Sequence, residues 1–268
     1  MNLLTKIKIT WCPGCTNFGI LAAFKGAIED LVKNNELKKE NIVVGSYIGC
    51  NSKITDYLNL NSFCGLHGRV VPLSSGIKIA NQNLKIIAFE GDGGAYAEGI
   101  AHLIHAAKRN INLTLIVHNN QTFALTTGQF TPTSPKGFKG KSTPEGSPEE
   151  PFNPLFLMLS AGATFIARSY ALEIKKTQEI IKEAIRHQGF SFLEIIQPCI
   201  SFNDTRDYYQ KRIYWLPDRQ NKANFNFALE KVREWPDSSP TPGRTESRRN
   251  DKIPLGIFYQ INKPTFNN

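Results

Sequence analysis

Apolar positions along the chain follow two spacings. From Thr16 to Asn34, Leu21, Phe24, Ile28, Leu31 and Val32 recur three and four residues apart, which gathers them on one face of a helix. Asn41–Ile48, Lys85–Glu90, Leu113–Val117 and Phe190–Ile196 are short, nearly continuous apolar runs, as strands covered on both faces require. Tyr96–Arg109 and Leu172–Arg186 read as helices between such strands, the second with Ile174, Ile181, Ala184 and Ile185 inward. The alternation predicts an α/β fold: a mostly parallel sheet with helices on both faces and right-handed crossovers.

Two segments interrupt this rhythm. Thr131–Pro154 is rich in Pro, Gly, Ser and Lys and is longer than an ordinary connection, so it is expected to be a lid, an interface loop or disordered. Pro236–Lys252 is similar and sets apart the apolar stretch Ile253–Tyr259. The expected organisation is one domain, residues 1–235, followed by a loop and C-terminal extension over 236–268.

Composition narrows the class. With 268 residues, 41% of them hydrophobic, the chain has enough material for a full globular core. No apolar run approaches the roughly 18 residues of a membrane span. The first residues are too interrupted by charge for a signal peptide, so a cytoplasmic location is expected. The net charge of +9 is dispersed, with modest concentrations at Lys33–Lys39, Lys136–Lys141 and Arg244–Lys252. None has the interleaved aromatics or helix-turn-helix frame of a nucleic-acid binder, which leaves a solvated surface or steering toward an acidic protein partner.

Two constellations carry chemistry. Gly91-Asp92-Gly93 ends a predicted strand, where glycines let backbone approach a phosphate and Asp92 offers a hard oxygen to a divalent cation. Gly-Asp-Gly alone is a turn. Here it stands one βαβ unit before Asn119-Asn120, and in a parallel sheet both strands end on the edge where ligands bind. The second constellation is Cys12 and Cys15 in Trp11-Cys12-Pro13-Gly14-Cys15, Cys50 after Ile48-Gly49, and Cys199 after Gln197-Pro198. Four thiols suit a 4Fe–4S cluster or a zinc ion, whereas a reactive dithiol would need only Cys12 and Cys15. Spacing alone does not separate zinc from iron. Cys64 stands outside the set and is expected to be a small buried or semi-buried residue.

The order Gly-Asp-Gly, spacer, Asn-Asn resembles the thiamine diphosphate motif of thiamine-dependent enzymes. That resemblance implies a magnesium ion held by Asp92, Asn120 and the backbone carbonyl of Thr122, with Ala124 and Leu125 against the aminothiazole. Together with both cysteine contexts, Leu66-His67-Gly68-Arg69 and Gly128-Gln129-Phe130-Thr131-Pro132, the chain resembles the β subunit of 2-oxoacid:ferredoxin oxidoreductases from about Trp11 to Asn203, with a weaker echo at Ile253–Tyr259. The resemblance implies a heterodimer with an α subunit that supplies the glutamate activating the cofactor. The expected reaction is coenzyme A-dependent oxidative decarboxylation of a 2-oxoacid of the pyruvate or 2-oxoglutarate class. Cys12, Cys15, Cys50 and Cys199 would ligate a 4Fe–4S cluster that delivers single electrons to ferredoxin.

Cofactor contacts are expected from Ile48, Gly49, Cys50, Asn51, His67, Gly91, Asp92, Gly93, Gly94, Asn120, Ala124 and Leu125. Lys53 would approach the substrate carboxylate, or be solvated. Glu98 reads as compensation of a helix dipole. Gly94 departs from the family, which commonly has a second aspartate there. The competing readings are a non-redox thiamine-dependent decarboxylase subunit, which has no need of four cysteines, and a basic zinc-binding interaction module, for which Gly-Asp-Gly and Asn-Asn would be coincidence.

Overall fold

The computed structural model describes residues 2–235 and 252–266. The loop expected at Pro236–Lys252 therefore lies, except for Lys252, outside the described residues. The strands are β1 (Ile42–Ser46), β2 (Asn61–Cys64), β3 (Lys85–Gly91), β4 (Leu113–Asn119), β5 (Phe165–Tyr170), β6 (Phe190–Ile196), β7 (Ile213–Trp215) and β8 (Ile253–Gln260). They form one eight-stranded sheet in the order β2-β1-β3-β4-β6-β5-β8-β7. Strands β1 to β6 pair in parallel. Strand β8 runs antiparallel to β5 and carries β7 beside it. The stretch expected as a C-terminal extension thus contributes a strand to the common sheet.

Helices α1 (Asn17–Lys33) and α6 (Ile174–Arg186) cover one face, and α3 (Val70–Ala80), α4 (Ile100–Arg109), α5 (Pro154–Ser160) and α8 (Phe225–Val232) the other. Short helices α2 (Ile54–Tyr57) and α7 (Arg206–Gln210) complete the set. Alternate residues of each strand feed the two cores. On β3, Ile87 and Phe89 join the α1/α6 side, while Ile86 and Ala88 join the other. This period of two turns a continuous apolar run into two buried faces.

One predicted helix is divided. The Tyr96–Arg109 segment begins in a π-turn, Gly94–Glu98, and α4 starts only at Ile100. The Gly99 amide reaches back five residues to the Gly94 carbonyl at 2.7 Å, which widens the turn. Glu98 accordingly precedes the helix, and its carboxylate faces His67 Nδ1 at 3.3 Å.

The chain order places a switch point between β1 and β3: it leaves β1 for β2 on one side and returns to β3 on the other. Open α/β sheets bind ligands outside the carboxyl ends of the strands at such a point.

Candidate active site at the carboxyl edge of the sheet

Four parallel strands deliver the chemistry-bearing residues to one edge. Strand β1 ends at Ser46 and runs into Tyr47–Asn51, β3 into Asp92, β4 into Asn120, and β6 into Gln197–Cys199. Between the ends of β1, β3 and β4 lies an open cleft. Its wall includes Ile48, Gly49, Cys50, Asn51, His67, Gly91, Asp92, Gly93, Asn120, Thr122, Ala124 and Leu125, which are all but one of the expected cofactor and magnesium contacts. Gly94 is not among the lining residues. A Cβ on it would fall 2.4 Å from the Tyr47 ring, so the aspartate that the family commonly places there is excluded by the tyrosine.

Asp92 is buried, and its Oδ2 accepts from Thr131 Oγ1 at 2.6 Å and Thr133 Oγ1 at 2.8 Å. Burial pushes this carboxyl up to about 6, against the pull of the two hydroxyls. Asn120 Oδ1 accepts from the Thr122 amide at 3.1 Å, and its Nδ2 donates to Gln197 Oε1 at 3.0 Å. Gln121 between them adopts φ 59°, a left-handed conformation unusual for a residue with a Cβ that turns the chain back toward the cleft.

Several polar atoms at this edge are buried without a partner: Asn51 Nδ2, His118 Nε2 and both carboxylate oxygens of Glu90. Asn51 and His118 line the cleft. His118 Nδ1 lies 2.8 Å from Asn17 Oδ1, which assigns the proton to Nδ1 and leaves Nε2 as an acceptor. Burial lowers this imidazole to about 3 and raises Glu90 to about 8.

The cysteines meet in an adjoining cavity lined by Cys12, Cys15, Cys50 and Cys199 together with Trp11, Asn17 and Lys53. Three ties assemble it. Trp11 Nε1 donates to the Cys50 carbonyl at 2.6 Å. Thr16 Oγ1 donates to the Pro198 carbonyl at 2.8 Å, and Gln197 Nε2 to Thr16 Oγ1 at 2.7 Å. The turn between Cys12 and Cys15 closes through the Cys15 amide and Cys12 carbonyl at 3.0 Å, with Gly14 at φ 79°. Burial, and then the neighbouring Cys15, pushes the Cys50 thiol up to about 11. Cys15 is raised by burial too, with Cys199 and Cys12 adding to the effect. Among the described residues, no three His, Cys, Asp or Glu side chains are gathered as tightly as a single metal ion requires. The two cavities share Cys50, Asn120, Ala124 and Leu125 as a common wall.

Cys64 is exposed, not buried, with its thiol directed at the Tyr47 carbonyl at 3.2 Å; it ends the edge strand β2 and stands apart from the cysteine cavity. Lys53 Nζ lies 3.0 Å from Thr10 Oγ1. His67 lines the cleft, half-exposed.

Comparison with known proteins assigns the chain to a family. Residues 42–195 match the model of the thiamine pyrophosphate enzyme C-terminal TPP-binding domain, and residues 199–268 that of the C-terminal part of the pyruvate ferredoxin oxidoreductase beta subunit. The 2-oxoacid:ferredoxin oxidoreductase subunit beta of Saccharolobus solfataricus is 40% identical over 93% of this chain and 81% of its own length. The chain belongs to the β subunits of 2-oxoacid:ferredoxin oxidoreductases. It is therefore an oxidoreductase subunit with a thiamine diphosphate-binding domain. The 2-oxoglutarate synthase subunit KorB of Archaeoglobus fulgidus is 40% identical over 70% of this chain and 69% of its own length. Among solved structures, the 2-oxoglutarate:ferredoxin oxidoreductase from Magnetococcus marinus, with 2-oxoglutarate, coenzyme A and succinyl-CoA bound, superposes with a TM-score of 0.89 at 32% identity. That match covers 98% of this chain and 85% of the other. The likeness extends the family through the C-terminal strands.

Sequence reasoning missed Tyr47, His118, Thr131 and Thr133 as site residues. His118 carried a signal, a histidine at the end of an apolar strand directly before Asn-Asn. Thr131 stood in the Gly128–Pro132 motif without a role assigned to it, and Thr133 carried no signal, because it lies in a segment of low complexity. The start of that segment is packed: Thr131 and Thr133 are buried against Asp92, and Ser134 is buried beside them with its hydroxyl on the Gln121 carbonyl.

Proposed function

We propose that this β subunit, assembled with an α subunit, catalyses coenzyme A-dependent oxidative decarboxylation of a 2-oxoacid in the cytoplasm and passes the electrons through a 4Fe–4S cluster to ferredoxin. The carrying observation is the wall common to the Asp92 cleft and the four-cysteine cavity. Thiamine diphosphate supplies the nucleophilic carbon for decarboxylation, and the cluster supplies one-electron carriage.

The residues fit these groups. Asp92, Asn120 and the Thr122 carbonyl hold magnesium, which takes few protein ligands and completes its shell with phosphate oxygens and water. The missing side chains at Gly91 and Gly93 let Tyr47 and Phe123 pack against the backbone as walls of the cleft that would take the diphosphate. The unpartnered Asn51 Nδ2 and His118 Nε2 offer a donor and an acceptor to the bound cofactor, as buried polar atoms require. Ala124 and Leu125 present apolar surface to the cofactor on one side and to the cysteines on the other. Lys53, in the cysteine cavity, meets the substrate carboxylate.

The cysteine set favours a cluster over zinc. A tetrahedral zinc draws its thiolates to about 3.8 Å from one another, given Zn–S bonds of roughly 2.3 Å, whereas these side chains are spread around a cavity. The acceptor is an acidic ferredoxin, drawn by the positive net charge. The substrate belongs to the 2-oxoacid class that names the relatives, several of them for 2-oxoglutarate.

The test is anaerobic purification of the complex. It should be brown, absorb broadly near about 400 nm, bleach with dithionite and reduce ferredoxin with a 2-oxoacid and coenzyme A. A colourless complex with stoichiometric zinc would overturn the reading. A panel of 2-oxoacids then fixes the substrate.

A further inference from the structure

A buried polar chain links the centre of the sheet to Asp92. Arg168 on β5 and Glu194 on β6 are both fully buried, with Arg168 Nε 2.7 Å from Glu194 Oε2. The guanidinium lies over the Trp235 ring at 3.9 Å. Glu194 Oε1 accepts from Asn119 Nδ2 at 2.8 Å and from the Tyr96 hydroxyl at 3.2 Å. With its NH₂ committed to Glu194, the Asn119 amide presents its oxygen to Thr133 Oγ1 at 3.0 Å and to the Gln121 amide at 3.3 Å. Thr133 Oγ1 in turn lies 2.8 Å from Asp92 Oδ2.

A hydroxyl carries one proton, so Asn119 Oδ1 and Asp92 Oδ2 compete for that of Thr133. We propose that Glu194, neutralised by Arg168, is a positioning residue for the cation site: it holds the Asn119 amide as an acceptor and thereby keeps the Thr133 proton shared. Without the Glu194 carboxylate, the Asn119 NH₂ loses its buried acceptor, and the Gln121 amide alone no longer fixes the amide oxygen against Thr133. The Thr133 proton then goes wholly to Asp92. A carboxylate oxygen bonded to two full donors is a weaker ligand for a hard cation, because those donors draw on the same lone pairs and charge. Outer partners of this kind tune metal affinity without touching the metal. Trp235 and Phe258, whose ring is 5.8 Å from the same guanidinium, bring the C-terminal segment into the device. The inference rests on Asp92 being the magnesium ligand.

The test measures magnesium half-saturation of thiamine diphosphate binding in the complex, by fluorescence or circular dichroism, alongside the melting temperature. Two variants are compared with wild type: Glu194→Met, and the charge-free pair Arg168→Met with Glu194→Met, which leaves no buried cation without its anion and no acceptor for the Asn119 NH₂. The expected result is a paired variant that melts near wild type yet needs about tenfold more magnesium, the scale at which outer-sphere changes act. A folded paired variant with wild-type magnesium dependence overturns the inference while leaving the proposed function standing. Wild type that binds thiamine diphosphate without any magnesium dependence overturns the inference together with the assignment of Asp92 as the magnesium ligand.

Discussion

The two ends of the sheet use buried polar groups in opposite ways. At the amino ends of β4, β5 and β6, Asn110, Thr164 and His187 satisfy one another. Asn110 Oδ1 accepts from Thr164 Oγ1 at 2.7 Å and from the Phe190 amide at 2.8 Å, and its Nδ2 donates to the Lys263 and Pro264 carbonyls. Thr164 gives its proton to Asn110, so its oxygen accepts from His187 Nε2 at 2.8 Å. At the carboxyl edge, Asn51 Nδ2, His118 Nε2 and the Glu90 oxygens are buried with no partner. Each such group costs about 1–3 kcal/mol. One end closes its hydrogen bonds within the chain; the other leaves buried donors and acceptors unpaired, two of them, Asn51 and His118, in the wall of the cleft.

The comparison is broken most severely at the cysteines. Cys50→Ser removes one thiolate from the wall between the two cavities. We expect loss of the iron–sulfur absorbance and a fall in ferredoxin reduction of a hundredfold or more, equivalent to about 2.7 kcal/mol of barrier. Iron content, the visible spectrum and turnover of the anaerobic complex measure it. Full iron occupancy in this variant would remove Cys50 from the ligand set.

Asp92→Asn separates function from stability at the same edge. The folded Asp92 carboxyl sits at about 6, above the ordinary aspartate value, so its burial penalty appears as pH rises from about 4 to about 6 and is complete at neutral pH. The penalty is about 2–3 kcal/mol. The variant should therefore melt higher than wild type at pH 7 without cofactor, and lose the extra stabilisation that magnesium and thiamine diphosphate give wild type. Melting curves with and without both ligands decide it. A variant still stabilised as strongly as wild type would show that Asp92 does not hold the cation.

Gly94 tests how tightly the cleft is built. A Cβ there meets the Tyr47 ring at 2.4 Å, so Gly94→Asp should cost about 1–3 kcal/mol through overpacking. Tyr47→Ala in the same chain should recover much of that loss. A double-mutant cycle in melting temperature measures the coupling, and additive effects would mean that the tyrosine does not hold the space.

These contrasts also set how much was legible in the sequence. Strands β1, β3, β4 and β6 announced themselves because both faces are buried, leaving unbroken apolar runs. Strand β5 is equally buried and went unread, since Arg168 and Ser169 interrupt its run. Its charge is tolerated only because Glu194 stands beside it, a pairing between distant positions. Helix α3 was hidden by Ser74, Ser75 and Gly76 inside its pattern. At the site, Asp92, Asn120 and the four cysteines were readable from residue type and strand position. Thr131 and Thr133 were not, because hydroxyls in a Pro-rich segment acquire meaning only once the chain folds them under Asp92.

The opposite end offers the gentlest test. Burial lowers His187 to about 4, and the nearby Lys85 lowers it further. Lys85 Nζ is itself held by the Ile185 carbonyl at 2.7 Å. The folded imidazole stays neutral well below the unfolded value of about 6.5, so the unfolded chain binds the extra proton between those limits. Stability is then full above about 6.5 and falls as pH drops toward 4, by about 3 kcal/mol. His187→Gln should flatten that part of the pH profile while leaving magnesium-dependent cofactor binding at its wild-type value. Denaturant melts at pH 7 and pH 4.5, each paired with a cofactor titration at pH 7, measure both quantities. A His187→Gln variant that retains the acid slope would move its origin to other groups, and one that weakens cofactor binding would show that the two ends are coupled through the strands between them.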